Sequence, residues 1–476
     1  MKQEDFVKIN DWLWEIPRSF RQDMKVPARI YISEKMLKNL EGDAIRQIIN
    51  VATLPGIVKY SLAMPDAHSG YGFVIGGVAA TKLPDGAISP GGIGYDQNCG
   101  CRLLFSDCLE KDVRPHLEKL IIEIQKQVPS GLGRGRQIKL SIEEIDKVLE
   151  TGAKRLIEQG YGEKEDIENC EENGWIAEAD NRFISSQAKN RGRDQLGTLG
   201  SGNHFCQLDK VDEIFDEKIA KVFGLFKNQV VIMVHTGSRG LGHQNCTDYL
   251  NLMIKTMPKY KIKLPDRELA CVPFNSSEGQ KFFKAMCGGA NYAWANRQMI
   301  THYIRKAWQK IIGGGKLKLL YDVAHNIAKI EKHKVDGQDI ELCVHRKGAT
   351  RAFPPRHSEI PIKYREVGQP VLIPGTMGTA SYVLRGTEKG KAAWFSAPHG
   401  AGRTMSRGAA RRKVWGEDLR RQLLKQGIIP KTKSMPGLAE EAPIAYKDID
   451  EVVRVVDAVG IARRVCRLIP LGVIKG

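Results

Sequence analysis

The glycine-rich stretch from Ser89 to Arg102 holds the first residues that could do chemistry. Within it Asp96 and Cys99 lie three positions apart, with no helical pattern of apolar residues around them. Glycine lets a backbone turn sharply and approach a ligand closely. A carboxylate and a thiolate on such a backbone can reach one or two metal ions. A tight turn with a buried cysteine explains the same residues equally well.

Four of the eleven histidines lie in similar glycine-rich surroundings. They are His204, His235, His325 and His399. His235 follows the apolar run 230–234, which is typical of a buried strand, and ligands often bind where such strands end. A single histidine of this kind is more often structural than functional. Four of them, taken with the carboxylate and the thiol, favour a metal site.

These residues are spread along the chain, so elements that are distant in sequence must bring them together. By length alone, 476 residues suggest about three domains. However, the candidate residues named so far run from Asp96 to His399, and no Pro- or Ser-rich linker and no repeat interrupts the chain. We therefore predict one catalytic unit spanning residues 1–476.

Apolar periodicity and glycine turns predict the secondary structure. Helices are expected over 34–53, 113–128, 141–159 and 285–312, and strands over 71–81, 229–235, 318–323, 340–345 and 370–373. Ser141 and Glu144 fit a capping box at the start of the third helix. Because helices and strands do not alternate regularly, the pattern predicts an α+β fold.

The net charge of +18 concerns the partners of the protein more than its fold. Basic clusters at 189–193, at Arg134 with Arg136, and over 403–413 favour RNA as a partner, although a generally basic protein is the alternative. The ten cysteines form no disulfide pattern of a small secreted domain, and Cys99-Gly-Cys101 lacks a second close pair. No signal peptide or membrane-spanning stretch is recognised, so we predict a cytoplasmic protein that does not bind membranes.

Four further segments, together with the stretch from Ser89 to Arg102, carry a resemblance to a known family. They are residues 64–77, 89–102, 344–353, 368–381 and 470–476. Together with the histidine segments and in this order, they resemble the RtcB-type RNA-splicing ligases over nearly the whole chain. The resemblance implies a β-rich core flanked by helices, and an enzyme that uses GTP and two Mn²⁺ ions. It also implies an archease-type activator, and we expect a monomer.

The resemblance implies a role for each matching residue. Cys99 would bridge two ions, with Asp96 and His204 completing one ion and His235 and His325 the other. Ligand types alone do not distinguish manganese from zinc or cobalt. His399 would be the nucleophile that attacks the α-phosphate of GTP, the alternative being a sixth metal ligand. The other residues expected at the nucleotide are Asn203, Gln207, Thr376, Ser381, Gly400, Ala401, Gly402, Tyr446 and Lys475. Those expected to contact RNA are Arg191, Arg193, Arg239 and Arg403.

Two positions depart from the family pattern. Thr376 stands where serine is frequent, and it keeps the hydroxyl. Gln207 stands where the family usually has glutamate, whose carboxylate can accept hydrogens from the guanine edge. A glutamine amide offers one acceptor and one donor group, and free rotation of that amide would relax the selection of GTP.

Two other motifs have simpler explanations. Lys334 to Gly337 fits the short nucleophile pattern of lysine-dependent nucleotidyltransferases, but Asp-Gly between two alternating runs predicts a hairpin. The segment Gly313 to Lys316 lacks the spacing of a phosphate loop and is typical of the end of a helix.

The sequence therefore predicts an RNA ligase. It would join 2′,3′-cyclic phosphate or 3′-phosphate ends to 5′-hydroxyl ends, through a guanylylated histidine and an RNA-3′-pp-5′-G intermediate, in tRNA splicing and RNA repair. A dinuclear metallohydrolase that opens cyclic phosphates would explain the metal ligands alone, but it has no need of His399 or of a guanine pocket. A non-enzymatic RNA-binding protein would explain only the charge.

Overall fold

A computed structural model describes residues 5–131 and 138–476, so Arg134 and Arg136 lie outside the described residues. The strands of the described chain are β1 Val7–Asn10, β2 Leu13–Ile16, β3 Ala28–Tyr31, β4 Ile57–His68, β5 Ile75–Lys82, β6 Ala87–Ile88, β7 Gly100–Leu109, β8 Phe205–Ile214, β9 Gln229–Thr236, β10 Val272–Pro273, β11 Lys318–Ala324, β12 Asn326–Val335, β13 Gln338–Lys347, β14 Ala349–Arg351, β15 Pro370–Ile373, β16 Ser381–Gly386, β17 Ser396–Pro398, β18 Ile429–Thr432 and β19 Ala462–Lys475. The helices are α1 Glu34–Leu37, α2 Gly42–Val51, α3 Glu110–Val113, α4 Leu117–Gln127, α5 Ile142–Glu158, α6 Lys164–Glu168, α7 Ser186–Gly192, α8 Glu217–Phe223, α9 Arg239–Thr256, α10 Ser277–Ile311, α11 Arg407–Lys413, α12 Gly416–Lys425, α13 Met435–Glu440 and α14 Ile449–Val459.

Two large sheets organise these elements. One has seven strands in the order β1-β2-β3-β4-β5-β13-β12. The other has eight strands in all, seven of them in the order β11-β7-β9-β8-β19-β16-β15, with β18 added in parallel to β19. Most neighbouring strands are antiparallel, and β3 with β4 forms a parallel pair in the first sheet. This mixture of sheets and helices confirms the predicted α+β class.

The long helix α10 lies against one face of the eight-stranded sheet. It begins at the N-cap Ser276, whose hydroxyl accepts the backbone N–H of Gly279, and it packs on α4, α5 and α9. Apolar side chains of this helix and of alternate sheet positions form one buried cluster, which includes Trp294, Leu208 and Ile232. Since a strand directs alternate side chains to opposite faces, the residues between them pack into a second cluster on the other face, with Phe205 and Met233 among them.

Most predicted elements are present, with shifted ends. The capping box of α5 is confirmed, because Ser141 Oγ accepts the N–H of Glu144 and the Glu144 carboxylate accepts the N–H of Ser141. The predicted helix 285–312 begins earlier, at Ser277, and the predicted strand 71–81 begins later, at Ile75. Each change moves an element end by several residues and leaves its type unchanged.

A single helix over 34–53 is wrong. The chain forms α1 and α2 with a turn between them, and the Asn39 side chain donates to the carbonyl oxygen of Lys35 at 3.1 Å. A short polar side chain that bonds nearby backbone in this way favours the end of a helix over its continuation. The apolar face formed by Ile45, Ile48 and Ile49 is buried as expected, but it belongs to α2 alone.

Both alternative motifs have the simpler structures that the sequence predicted. Asp336 and Gly337 connect β12 to β13, which pair in antiparallel register from Val335 opposite Gln338. Lys334 is exposed on that hairpin. Helix α10 ends at Ile311, and Gly313 follows with a positive φ of 73°.

All ten cysteines are free, nine of them buried, as expected of reduced thiols. Among the helices of the described chain, none combines the length and the apolar character needed to cross a membrane.

Candidate metal and nucleotide site

The candidate ligands meet because five neighbouring strands of the eight-stranded sheet run alternately in opposite directions. The carboxyl ends of β11, β9 and β19 therefore lie beside the amino ends of β7 and β8, with Ala324 opposite Gly100, His235 opposite Phe205, and Phe205 opposite Lys475. Each of these strand ends carries or adjoins one candidate residue. They are His325, His235, Lys475, Cys99 and His204. Residues that are distant in sequence thus lie at one end of one sheet.

The ligating atoms form two groups that share one sulfur atom. Cys99, His235 and His325 make one group, and Asp96, Cys99 and His204 make the other, with all ligand atoms of each group within 4.8 Å of one another. Cys99 Sγ lies 3.4 Å from His204 Nε2 and 3.3 Å from His235 Nε2. This is the division of ligands that the resemblance implies.

The electrostatics of these groups fit bound cations. Burial, followed by the neighbouring His204, lowers the pKa of His235 well below its ordinary value. Burial together with His235 lowers the pKa of His325 in the same way, so both rings are neutral at pH 7. Their Nε2 atoms lie 3.2 Å apart. Two neutral imidazoles and a sulfur atom that converge in a buried space are the donor set that Mn²⁺, Zn²⁺ or Co²⁺ accepts.

The pKa values of the carboxylate and the thiol of the candidate site shift in opposite directions. Burial alone would raise the pKa of Asp96, but the nearby His204 outweighs this effect and brings the pKa to about 2. Burial, reinforced by Asp96, raises the pKa of the Cys99 thiol well above its ordinary value. A metal ion must therefore displace a proton from this thiol when it binds.

The side chain of Arg297, on α10, makes hydrogen bonds to the backbone at two of these strand ends. Its guanidinium donates to the carbonyl oxygens of Asn98 at 2.8 Å and of Thr236 at 2.9 Å, residues adjacent to Cys99 and His235. The same side chain makes two hydrogen bonds to Asp322 on β11, and it is fully buried. Sequence reasoning missed this role, since an arginine within a helical pattern is usually solvated.

His399 lies beside the metal-ligand groups. It follows β17, and its ring centroid is 5.0 Å from that of His325. Asp66 on β4 accepts a hydrogen bond from its backbone N–H at 3.0 Å and lies 2.6 Å from its ring Nδ1. Because a carboxylate only accepts hydrogen bonds, Nδ1 carries a hydrogen, and in the neutral ring Nε2 is the nitrogen with the free lone pair.

The turn after His399 approaches Asp66 closely. Gly402 has a φ of 73°, and a Cβ at this position would lie 2.0 Å from the carbonyl oxygen of Asp66. Glycine is therefore required on both steric and conformational grounds. Gly400 and Ala401, which connect it to His399, are buried.

A buried carboxylate that sequence reasoning missed organises the expected nucleotide pocket. Glu441 is 1% exposed and accepts hydrogen bonds from Arg403, Arg407 and the Tyr446 hydroxyl. Burial would raise its pKa, but Lys475 and these two arginines outweigh burial and hold the pKa below the usual range. Its position in an acidic pair just before Tyr446, in a strongly basic chain, was the available signal.

Lys475 connects this cluster to the metal ligands. Its Nζ lies 5.3 Å from the ring centroid of Phe205, and that ring is 5.4 Å from the ring of His235. Burial lowers the pKa of Lys475 to about 8, although Glu441 opposes the shift. The penultimate lysine is thus a buried residue of the site and not part of a solvated tail.

The remaining pocket candidates lie in loops or at the start of a strand. Ser381 Oγ accepts the N–H of Gly375, and the N–H of Thr376 donates to Thr379 Oγ1 at 2.7 Å. Both Ser381 and Thr376 are buried. Asn203 is half-buried, next to His204.

Gln207 has a partner that the sequence did not reveal. It lies on β8, two residues from Phe205 and on the same face, and it is buried. Its Nε2 donates to Asp209 Oδ1 at 2.8 Å. The amide is therefore held, and it does not rotate freely as expected.

The four arginines expected to contact RNA have different environments. Arg191 is exposed, whereas Arg193 donates to the Leu140 carbonyl oxygen at 2.9 Å. Arg239, with a φ of 56°, donates to Thr198 Oγ1 and to a backbone carbonyl oxygen. Arg403 belongs to the Glu441 cluster. Of these four, Arg191 has the most accessible side chain for an RNA backbone.

Comparison with known proteins identifies the family of this chain. The model of the family described as "tRNA-splicing ligase RtcB" matches residues 47–476. A tRNA-splicing ligase RtcB of Archaeoglobus fulgidus is 52% identical over 474 residues, which cover 98% of each chain. One of Methanococcus maripaludis is 52% identical over 475 residues, 99% of each chain. An RNA-splicing ligase RtcB of Mycobacterium tuberculosis is 50% identical over 433 residues, 90% of this chain and 100% of the relative.

The match to the family model, over residues 47–476, includes all the strand ends that carry the candidate ligands. The relatives are about half identical along nearly their whole length, so the likeness is not confined to a few motifs. The chain belongs to the RtcB family of tRNA-splicing ligases and is an RNA ligase.

Proposed function

We propose that this protein is a GTP- and manganese-dependent RNA ligase that works through a guanylylated His399. It would join RNA 2′,3′-cyclic phosphate or 3′-phosphate ends to 5′-hydroxyl ends, in tRNA splicing and RNA repair. The observation that supports this most directly is the position of His399. It lies beside two groups of metal ligands, and the Asp66 carboxylate orients its ring.

The first step would use the free nitrogen of that ring. Nδ1–H is engaged by Asp66, so Nε2 is the atom that attacks the α-phosphorus of GTP. A P–N bond forms, the bond between the α-phosphorus and its bridging oxygen breaks, and pyrophosphate leaves. Two Mn²⁺ ions, held by Asp96, Cys99 and His204 and by Cys99, His235 and His325, would neutralise negative charge on the transferring phosphate.

The later steps would transfer the guanylyl group to RNA. Water opens a cyclic phosphate to a 3′-phosphate, whose oxygen then attacks the phosphorus bound to His399. The P–N bond breaks and RNA-3′-pp-5′-G forms. The 5′-hydroxyl of the second RNA attacks the 3′-phosphorus, a phosphodiester forms, and GMP leaves.

The nucleotide pocket would consist of Tyr446, Lys475, Ser381, Thr376 and Gln207, with the backbone of residues 400–402 near the phosphates. The buried Glu441 orients the first two of these residues through a hydrogen bond and through its charge. The basic surface would hold the RNA backbone, and this attraction should weaken with salt. We further propose a monomeric cytoplasmic enzyme that an archease-type protein activates.

The direct test is incubation with [α-³²P]GTP and Mn²⁺, followed by ligation of RNAs with cyclic phosphate and 5′-hydroxyl ends. The proposal expects an acid-labile, base-stable label on the protein, which His399→Ala abolishes while metal content stays near normal. Lys334→Ala is the matched control and should keep the label. Label that is lost with Lys334 instead would contradict the proposal. Opening of cyclic phosphates without any label would support the metallohydrolase.

A further inference from the structure

Gln207 and Asp209 form a buried polar pair within an otherwise apolar face of the central sheet. They lie two residues apart on β8, and both side chains are almost fully buried, at 2% and 0% exposure. Their cross-strand neighbours on β9 are Met233 and Val231. Burying polar groups at such a place costs free energy unless they are hydrogen-bonded.

The Asp209 carboxylate has one protein partner among the described residues. Its Oδ1 accepts the hydrogen bond from Gln207 Nε2 at 2.8 Å, and its Oδ2 makes no hydrogen bond there. Burial raises the pKa of Asp209 to about 7, with the bond to Gln207 opposing the shift. Above that pH the group is an anion whose hydrogen bond comes from the amide.

The Asp209 carboxylate determines which end of the Gln207 amide points away from Asp209. An ionised carboxylate accepts hydrogen bonds and donates none. The NH₂ group of Gln207 must therefore face Asp209, and its carbonyl oxygen Oε1 is the end that remains for a ligand. Gln207 shares its face of β8 with Phe205, whose ring lies next to Lys475.

We propose that Asp209 is a specificity-determining residue that holds the Gln207 amide with its oxygen toward the nucleobase, and so preserves the selection of guanine. This rests on the proposed function, which puts Gln207 at the base. Guanine presents donors at N1 and at its 2-amino group, and Oε1 can accept from either. Adenine presents a lone pair at N1, which faces the same oxygen without a hydrogen between them. Such a mismatch leaves buried polar groups unpaired and rejects the wrong base.

The test compares initial rates of covalent labelling with [α-³²P]GTP and [α-³²P]ATP at pH 8, where Asp209 is ionised. Asp209→Asn keeps the shape but can both donate and accept, so the Gln207 amide can turn either way. The ratio of GTP to ATP labelling should then fall by about tenfold, the effect of roughly one hydrogen bond. Asp212→Asn, on the same strand but paired with Arg467 near the surface, is the matched control and should leave the ratio unchanged.

The double variant Gln207→Glu with Asp209→Asn separates orientation from local structure. Here the asparagine amide introduced at position 209 can donate to one carboxylate oxygen of the introduced glutamate, while the other oxygen faces the base. The ratio should therefore return to the parental value or exceed it. The single variant Gln207→Glu puts two buried carboxylates side by side. Its ratio of GTP to ATP labelling should therefore be lower than that of the double variant.

Three outcomes would overturn the inference or its basis. An unchanged ratio in Asp209→Asn, with a lowered ratio in Gln207→Leu, would remove Asp209 from the role while leaving Gln207 at the base. A ratio that stays equally low in the double variant would mean that Asp209 acts only through packing. No label from either nucleotide on the parent protein would instead refute the proposed function itself.

Discussion

Asp66 Oδ2 binds His399 at two points, accepting the backbone N–H at 3.0 Å and the ring Nδ1–H at 2.6 Å. The two residues come from different sheets, since Asp66 lies on β4 and His399 follows β17. One carboxylate oxygen thus fixes both the position of the histidine and the tautomer of its ring. In the proposed reaction, a histidine held in this way would present the same nitrogen to the phosphate in every turnover.

Replacing this carboxylate should slow nucleotide transfer without removing metal. Asp66→Asn keeps the shape but loses the charge that favours the Nδ1–H tautomer and the cation formed on attack. We expect the rate of guanylylation to fall by roughly 10²-fold or more, measured by quenched-flow labelling with [α-³²P]GTP. Metal content, measured by mass spectrometry, should be unchanged. Asp336→Asn on the exposed hairpin is the control, and a normal rate in Asp66→Asn would contradict the role.

Cys99 and Cys101 offer a matched pair for testing the shared sulfur. Cys99→Ala removes the atom common to both ligand groups, so the metal bound per chain should fall and ligation should stop. Cys101 belongs to the second apolar cluster on the sheet, and Cys101→Ala should cost about 1 kcal/mol of unfolding free energy with its metal retained. Equal metal loss from both variants would show that the ligands are assigned wrongly.

Arg297 and Arg102 separate the positioning of ligands from stability. Both donate to the buried Asp322, but Arg297 alone of the two also bonds the carbonyl oxygens of Asn98 and Thr236. Either arginine-to-lysine change should cost about 1–3 kcal/mol of unfolding free energy, because lysine keeps the charge but loses hydrogen bonds that the guanidinium makes to Asp322. Competition with a chelator should show weaker metal binding in Arg297→Lys than in Arg102→Lys. Equal affinities would reduce Arg297 to a purely structural role.

Asp209 should make stability depend on pH. Its pKa in the folded protein is raised by burial from 3.8 to about 7, so the favourable contribution of its protonated form is complete below about pH 4 and is lost as the pH rises through 7. The side chain introduced by Asp209→Asn does not ionise, so the variant does not lose stability in this way as the pH rises. The difference in thermal midpoint between variant and parent should therefore grow in favour of the variant from about pH 5 to pH 8. A constant difference over that range would mean that Asp209 does not titrate there.

The candidate site was largely predictable because its residues carry strong local patterns. Glycine-rich turns around His204, His235 and His325 indicated strand ends, and the resemblance supplied the division of ligands that the structure also has. Alternation and an Asp-Gly turn were enough for the hairpin at Asp336. Each of these patterns involves only residues that are close in sequence. Each also uses residue types that are uncommon in other structural settings.

The supporting residues were not predictable in the same way. Asp66 is 333 positions from His399, and Arg297 is 199 positions from Asn98, so each contact exists only once the sheets and α10 are packed. Asp209 looked like one more charged residue on a strand. The expectation that the Gln207 amide rotates freely is wrong for the same reason. Its partner Asp209 is buried beside it only in the folded chain, and the sequence does not show that burial. The single helix predicted over 34–53 failed because the turn at Asn39 competes locally with helix formation.

Strand β19 has a consequence for the order in which the enzyme is made. It occupies an interior position of the eight-stranded sheet, between β8 and β16, although it is made after all the other strands of the described residues. At roughly 5–20 residues per second, the nascent chain carries β8 with one open edge for tens of seconds. During that time Lys475 has not yet been added, and the proposed nucleotide pocket lacks one of its residues. Translation therefore yields the candidate metal ligands before the last residues of the proposed nucleotide pocket, so a chain that stalls before β19 lacks part of the proposed site.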